Sequence, residues 1–142
     1  MDVVSILLIF IFIILAGIHF NWALGGKWGI DITLPTTAEG QRVLNPKKIE
    51  SAIVGMGLLS FGLFYLFRLE LMPMLLPGWT IKYIGWLVPL IFLARAIGDF
   101  KYVGFFRKIK NTAFSKADAK YFSPLCALIG LLALGVQITG LS

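Results

Sequence analysis

Four long, largely apolar runs restrict what this chain can fold into. They lie at residues 3–24, 49–69, 81–99 and 122–141. Each run is about as long as the roughly 20 residues that an α-helix needs to cross the hydrocarbon core of a bilayer. Only 14% of the 142 residues are charged, whereas about 25% are charged in a typical soluble domain. The chain is therefore predicted to be an all-α membrane protein, a four-transmembrane-helix bundle in which residues 1–142 form a single membrane domain.

The distribution of basic residues predicts how the bundle is oriented. The loops 25–48 and 100–121 carry ten Lys and Arg residues, whereas only Arg68 and Lys82 flank the connection on the opposite side. Short loops that are rich in Lys and Arg stay in the cytoplasm. We therefore expect both loops to be cytoplasmic and both termini to lie outside. Loop 25–48 is long for a structureless connection, so it either folds locally or serves a function, such as that of a lid.

A pair of opposite charges lies at the inner end of the third run. Arg95 and Asp99 are four residues apart, and a charge at membrane depth costs about 3 kcal/mol on insertion scales. Ionisable residues at this depth therefore favour a functional site with a specific partner. Arg95, Asp99 and Tyr102 fall at positions i, i+4 and i+7 of the third helix and therefore share one face, and Arg95 is expected to pair with Asp99.

The first run reaches the same depth at His19, because both odd-numbered runs are expected to cross the membrane in the same direction. Arg95 would then clamp an anion, and Asp99 would orient the imidazole of His19. The candidate ligand-binding residues are Arg95, Asp99, Tyr102, His19, Trp22, Asn21 and Trp28, and the candidate catalytic residues are His19 and Asp99. In the alternative interpretation, Arg95 and Asp99 only satisfy each other at the helix end, and His19 and the aromatic residues lie in the membrane interface.

Several kinds of chemistry lack the residues that they need. The sequence has one His and one Cys, too few for a structural zinc site or for a bis-His haem within one chain. It contains no metalloprotease, nucleophile-elbow or phosphate-loop motif, so no metal and no cofactor is expected. The basic residues flank membrane spans instead of forming a free basic domain. Membrane lipids, and not nucleic acid, are therefore the expected partners.

A faint internal repeat predicts how the four helices are arranged. Residues 16–22 align with residues 96–102, which sets His19 opposite Asp99. Each segment ends an odd-numbered run and is followed by a basic loop. The pattern is that of two parallel-repeat helical hairpins, an arrangement that some transporters use. Chance similarity is the alternative.

Small residues on the second run predict a close contact between helices. Ser51, Gly55 and Gly62 share one stripe, and small residues at such spacings let two helix backbones approach closely. The contact is either internal packing or the interface of a homo-oligomer. In loop 100–121, the pattern Ser115-x-x-Asp118 resembles a capping box and predicts a short helix that leads into the fourth run.

Two motifs stand at the ends of the first and third runs. H-F-x-W-x-x-G-G-x-W-G begins at His19, and R-A-x-G-D-F-x-Y-x-G-F-F begins at Arg95. With these motifs the chain resembles a family of short bacterial integral membrane proteins that have about four spans and no assigned function. The resemblance covers essentially the whole chain. It implies a multi-pass protein of the bacterial cytoplasmic (inner) membrane, and it implies no reaction.

Three functions are compatible with these patterns. The first is binding or transport of an anionic or amphipathic small ligand, a lipid headgroup or an organic anion, at a polar pocket on the cytoplasmic side. The second is a membrane-embedded enzyme that acts on a lipid-like substrate through His19 and Asp99. The third is a non-catalytic membrane partner or immunity-type protein that makes its contact through the small-residue stripe. The sequence favours the first and does not decide whether there is any catalysis.

Overall fold

The structure is a computed structural model that describes residues 2–73 and 75–140. Its helices are α1 (Asp2–Ala23), α2 (Ile30–Thr33), α3 (Lys48–Arg68), α4 (Gly78–Ile97), α5 (Ala113–Ala117) and α6 (Ser123–Gly140), and a π-helical turn (Asp118–Phe122) joins α5 to α6. The described residues form no strand beyond one isolated bridge between Thr36 and Arg42. Four helices are long and apolar enough to cross a membrane, the fourth comprising α5, the π-helical turn and α6. The predicted all-helical architecture with four candidate membrane spans is confirmed.

The four long helices form two antiparallel hairpins. α1 packs along α3, and α4 packs along α6, whereas α1 meets α6 and α3 meets α4 at far fewer positions. Each hairpin therefore consists of two long helices that are consecutive in the chain. This is the pairing that the repeat pattern predicts, and the origin of the hairpins by repetition stays a prediction.

The small-residue stripe of α3 lies against α1 within the chain. A Cβ atom at Gly55 would lie 2.9 Å from Cε1 of Phe20, and one at Gly62 would lie 3.6 Å from Cβ of Phe12. Ser51, Gly55 and Gly62 are all buried. The stripe thus lets the backbone of α3 approach the side chains of α1, as expected for small residues at a helix contact.

Aromatic rings fill the middle of the bundle and connect the two hairpins. The ring centroid of Phe12 lies 5.7 Å from that of Phe61 and 5.5 Å from that of Phe92. Tyr65 stacks on Phe12 with ring centroids 6.0 Å apart. Phe12 and Tyr65 are almost completely buried, and ring pairs at such distances contribute beyond the area that they bury. Because the rings come from α1, α3 and α4, they close the centre of the molecule.

The two ends of the bundle are held by different contacts. We define the basic end by the connections 24–47 and 98–112, where α2 contacts α5. At the opposite end, Nη1 of Arg68 donates a hydrogen bond to Oε1 of Gln137 at 2.9 Å. Gln137, which is 1% exposed, donates in turn to the carbonyl oxygen of Lys82 at 3.3 Å. These bonds join α3, α6 and α4 at that end.

Two of the differences between the observed and the expected helix boundaries affect the candidate site. α4 ends at Ile97 instead of reaching residue 99, because Gly98 has a positive φ of 88°, and a residue in such a conformation ends a helix. The fourth span begins at Ala113 instead of residue 122. Its expected end at residue 141 lies outside the described residues.

The short helix before the fourth span is present, but its cap is not the predicted one. α5 begins after Thr112, whose side-chain oxygen accepts a hydrogen bond from the N–H of Ser115 at 3.0 Å. The predicted capping box Ser115-x-x-Asp118 is therefore wrong. Asp118 lies at the start of the π-helical turn, where it has another role.

We expect Gly130→Ala to destabilise the hairpin of α4 and α6. A Cβ atom at Gly130 would lie 2.7 Å from Cγ and 3.2 Å from the backbone N of Leu93, closer than packed carbon atoms approach. Overpacking of this kind costs about 1–3 kcal/mol. The midpoint of thermal unfolding in detergent, followed by circular dichroism, should fall.

Gly17→Ala is the matched control for this change. A Cβ atom at Gly17 would meet no atom within 4 Å, and both substitutions replace a helical glycine by a better helix former. Gly17→Ala should therefore be neutral or stabilising. Equal unfolding midpoints for the two variants would contradict the close approach of α4 and α6 at Gly130.

Candidate functional site

Arg95 pairs with Asp118, which lies on another element, and not with Asp99. Nη2 of Arg95 is 2.9 Å from Oδ1 of Asp118. The helix that would have put Asp99 on the same face as Arg95 stops before Gly98. The predicted pair of Arg95 with Asp99 is therefore wrong.

The carboxylate of Asp118 is fully buried and accepts four hydrogen bonds. Besides Arg95, it accepts from Nη2 of Arg107 at 2.9 Å, from the N–H of Gly104 at 2.8 Å and from the hydroxyl of Ser123 at 3.0 Å. A buried carboxylate is costly unless such partners satisfy it. Because the donors belong to α4, to the connection 98–112 and to α6, this carboxylate joins three parts of the chain.

The π-helical turn brings Asp118 and Ser123 together. In a π-helix the N–H of a residue bonds to the carbonyl five residues earlier, and the N–H of Ser123 donates to the carbonyl of Asp118. The side chains of the same two residues are bonded as well. Single π-helical turns inside α-helices are frequent at functional sites.

Asp99 holds the turn that follows α4. Its Oδ1 accepts hydrogen bonds from the N–H groups of Lys101 at 2.9 Å, Tyr102 at 2.8 Å and Val103 at 3.0 Å. Burial by itself would raise the pKa of Asp99, but the backbone hydrogen bonds outweigh it and lower this pKa below its ordinary value of 3.8. Asp99 is not the partner of His19, and the predicted orientation of the imidazole by this carboxylate is wrong.

The carbonyl oxygen of Leu15 orients His19 instead. Nδ1 of His19 lies 2.8 Å from it. Since a carbonyl oxygen only accepts, this bond requires the proton on Nδ1 and leaves Nε2 for other contacts. The ring also lies against Trp22, with centroids 4.9 Å apart, and Nε1 of Trp22 donates to the carbonyl oxygen of Trp28 at 2.7 Å.

The first of two adjoining cavities lies at the basic end and has a volume of about 600 Å³. His19, Trp22 and Arg95 line it together with the N-terminal turn of α3. One wall is formed by the connection 24–47. This connection contains α2 and an isolated bridge, so it is locally folded. Local folding is one of the two alternatives that the sequence predicts for loop 25–48.

The charged residues that line the first cavity are mostly cations. Lys27 and Lys48 add to Arg95, and Glu50 is the acidic residue of the lining. Oε2 of Glu50 accepts a hydrogen bond from the backbone N–H of Lys47 at 2.8 Å. Among residues 2–73 and 75–140, no three His, Cys, Asp or Glu side chains are grouped so that they could hold a metal ion. The lining chemistry suits an anion.

The second cavity, of about 470 Å³, is lined almost entirely by apolar side chains of all four long helices. It shares His19, Val54 and Arg95 with the first cavity, so the two adjoin at these side chains. Nη1 of Arg95 is buried and has no hydrogen-bond partner among the described residues. The guanidinium group of Arg95 thus bonds to Asp118 through Nη2 and keeps one donor nitrogen unpaired.

The structure brings some of the predicted ligand-binding residues together and separates others. His19, Trp22 and Arg95 line the first cavity, whereas Asp99, Tyr102, Asn21 and Trp28 line neither of the two. Asp99 and Tyr102 belong to the turn after α4, and the side chain of Trp28 is exposed. A ligand role for any of the seven residues stays a prediction.

Sequence reasoning missed Asp118 as the partner of Arg95. The signal that could have found it is its isolation: Asp118 is the only acidic residue after Asp99, in a loop that carries six Lys and Arg residues. Lys48 was also missed, because it was counted only as a topology determinant at the start of the second span.

Comparisons with known proteins identify a family and no activity. The model of a family described as a protein of unknown function (DUF3995) matches residues 12–133. No curated protein and no solved structure matches the chain. The matched region covers most of the chain and includes His19, Arg95 and Asp118.

Asp118→Asn should strongly destabilise the protein. The substitution keeps the shape of the side chain but leaves the guanidinium groups of Arg95 and Arg107 without their buried counter-charge. Breaking a buried pair in this way costs about 3–5 kcal/mol. Thermal unfolding in detergent is expected to show the loss as a lower midpoint.

Asp31→Asn is the control for the loss of an aspartate charge. Asp31 pairs with Arg42 at 3.0 Å, and its side chain is 86% exposed. Exposed pairs contribute at most about 1 kcal/mol, so this variant should unfold close to the wild type. If both variants lost the same stability, Asp118 would not be the contact on which the basic end depends.

Asp99→Ala should loosen the turn after α4 without disturbing the helices. Three backbone N–H groups lose their acceptor, so hydrogen exchange measured by mass spectrometry should become faster at residues 101–103 while α4 and α6 stay protected.

The lowered pKa of Asp99 also determines how the stability of this turn in the wild type depends on pH. Stability from Asp99 is fully present above 3.8 and is lost as the pH falls through the lower folded-state pKa. Loosening of the wild-type turn already in mild acid would contradict this.

Proposed function

We propose that this chain, which belongs to the family of proteins of unknown function DUF3995, binds an anionic amphipathic ligand between its two hairpins. The observation that carries the proposal is the junction of the two cavities at Arg95. One cavity carries three cationic side chains in a mixed lining, and the other is almost entirely apolar. A ligand with a charged headgroup and a hydrocarbon part would place its headgroup beside the cations of the first cavity and its hydrocarbon part in the second.

The charge balance around Arg95 supports an anionic headgroup. Asp118 is one carboxylate shared by two guanidinium groups, Arg95 and Arg107, so the buried cluster keeps a net positive charge. Lys27 and Lys48 raise the positive potential of the first cavity further. A phosphate or carboxylate group there would find charge-assisted donors in a site that is partly screened from water.

His19 would supply a second contact to the same headgroup. Its Nδ1 is held by the carbonyl oxygen of Leu15 at 2.8 Å, so Nε2 is the ring nitrogen that can face a ligand. Trp22 would form an aromatic wall beside it. The two residues lie on α1, across the cavity from Arg95 on α4.

The closed centre of the bundle favours binding over transport. Phe61 and Phe92 line the apolar cavity. Their rings lie 6.4 Å apart and pack with the buried Phe12. A path for a charged group through the interior of the bundle would have to part these rings. The excess of Lys and Arg at the basic end supports a cytoplasmic location for the site, in the bacterial inner membrane that the sequence resemblance implies.

A membrane-embedded enzyme is the second candidate, and the bond between His19 and Leu15 is the observation that favours it. An imidazole with its proton fixed on Nδ1 can act as a general base through Nε2. The carbonyl oxygen of Leu15 would then orient the imidazole, the role that the sequence predicts for Asp99. The small-residue stripe of α3 is buried against α1, so it lends no support to the third candidate, a partner or immunity-type protein.

Competition between lipids tests the proposed function. Purified protein is mixed with equal amounts of phosphatidic acid, oleate and phosphatidylcholine, and the bound species are counted by native mass spectrometry. We expect the wild type to retain at least one of the two anions about tenfold or more over phosphatidylcholine, a difference of about 1.4 kcal/mol. The two anionic arms distinguish a phosphate headgroup from a carboxylate.

Arg95→Gln and Arg107→Gln form a matched pair for this experiment. Both variants remove a guanidinium group from Asp118, but only Arg95 lines the cavities. Both should unfold at lower temperature, and only Arg95→Gln should lose the preference for the anion. An equal loss in the two variants, or no preference in the wild type, would overturn the proposal.

A further inference from the structure

α3 and α4 face each other across a seam in which they hardly touch. The hairpins meet mainly through α1 and α6 and through the central rings, whereas α3 and α4 approach at only a few positions. On α3 the seam is lined by Val54, Gly57, Phe61 and Phe64, and on α4 by Ile84, Leu87, Ile91 and Arg95. The spacings of three and four residues put each set on one helix face. The seam is therefore a groove along the bundle.

The apolar cavity beside Arg95 continues along this seam. A further cavity of about 300 Å³ lies toward the opposite end of the bundle, between Phe64 of α3 and Ile84 of α4. Phe61 lines both cavities. The groove thus begins at a cation and continues past Phe61 between apolar side chains.

The groove is open toward the side of the bundle. Val54 is 47% exposed, Leu87 is 47% exposed and Ile91 is 42% exposed, although each lines the seam. A Cβ atom at Gly57 would meet no atom within 4 Å. In a membrane, this side faces the hydrocarbon of the bilayer, so the contents of the groove can exchange with lipid chains.

We infer that the ligand of the proposed site is a membrane lipid whose acyl chain lies in the seam between α3 and α4 and enters it sideways from the bilayer. This inference rests on the proposed function, because the headgroup position is the Arg95 cavity. It adds the class of ligand and the route by which that ligand arrives. The unpaired Nη1 of Arg95 marks the end at which the headgroup lies.

A single hydrocarbon chain suits the seam better than a helix or water. An α-helix with its side chains is about 10–12 Å across, so it would have to push apart two helices that still touch at some points. Water lacks partners along the groove, because the lining beyond Arg95 is apolar apart from Ser60, and Ser60 already donates to the carbonyl oxygen of Met56 at 2.8 Å. A flexible apolar chain fills such a groove without leaving polar groups unpaired.

Photolabelling with a lipid that carries a diazirine in its acyl chain tests the inference. The protein is reconstituted into phosphatidylcholine nanodiscs that contain diazirine phosphatidic acid, and labelled peptides are mapped by mass spectrometry. We expect labels on α3 between residues 54 and 64 and on α4 between residues 84 and 91. Diazirine phosphatidylcholine, which has the same chains and no net charge, should label the seam about tenfold less, in line with the expected difference in affinity.

Gly57→Leu and Gly17→Leu are the matched variants. Both glycines lie on long helices, and a Cβ atom at either would meet no atom within 4 Å, but only Gly57 lines the groove. Gly57→Leu should fill the groove and lower the labelling of the seam about tenfold, and Gly17→Leu should leave it unchanged. Dihexanoyl phosphatidic acid, with short chains, should bind both variants as it binds the wild type.

The outcomes separate the inference from the proposed function. If the wild type does not distinguish phosphatidic acid or oleate from phosphatidylcholine, the proposed function falls and the inference falls with it. If it does, but the labels map to other surfaces or Gly57→Leu labels like Gly17→Leu, only the inference is overturned. The wild-type label map decides the matter even if Gly57→Leu does not fold.

Discussion

The basic end of the molecule depends on one buried carboxylate, that of Asp118. It is the only group that bonds at once to α4, to the connection 98–112 and to α6 among the described residues. No helix or strand orders that connection. Its backbone is held by this carboxylate, by Asp99 and by a few backbone hydrogen bonds, such as that from the N–H of Phe105 to the carbonyl oxygen of Ala96 at 2.8 Å. The position of Arg95 beside the two cavities follows from the same bond.

The two terminal nitrogens of Arg95 differ in their contacts. Nη2 is fixed by Asp118, and Nη1 has no protein partner in the described ranges. A guanidinium group that is already held by a buried carboxylate loses little further freedom when a ligand binds, and such preorganisation raises affinity. Under the proposed function, the ion pair is thus a structural contact that also prepares a cation for an anion.

The four helices and their pairing could be predicted, because hydropathy and the spacing of basic loops are properties of local sequence. The partner of Arg95 could not be predicted by the same reasoning. Asp99 was preferred because helical neighbours four residues apart normally meet, but that rule fails when the helix ends, and Gly98 ends it. Asp118 lies 23 residues from Arg95 along the chain and reaches it only through the fold. His19 lies at the same end of the bundle as Arg95, as helix direction predicts, and both residues line the two cavities.

The Arg95–Asp118 pair has a consequence for the way in which the chain enters a membrane. A lone arginine in the third span and a lone aspartate at the start of the fourth would each oppose insertion of its own segment. Together, in the hairpin of α4 and α6, they neutralise each other. The third span should therefore remain at the insertion machinery until the fourth has been synthesised. The C-terminal hairpin then inserts into the bilayer as one unit.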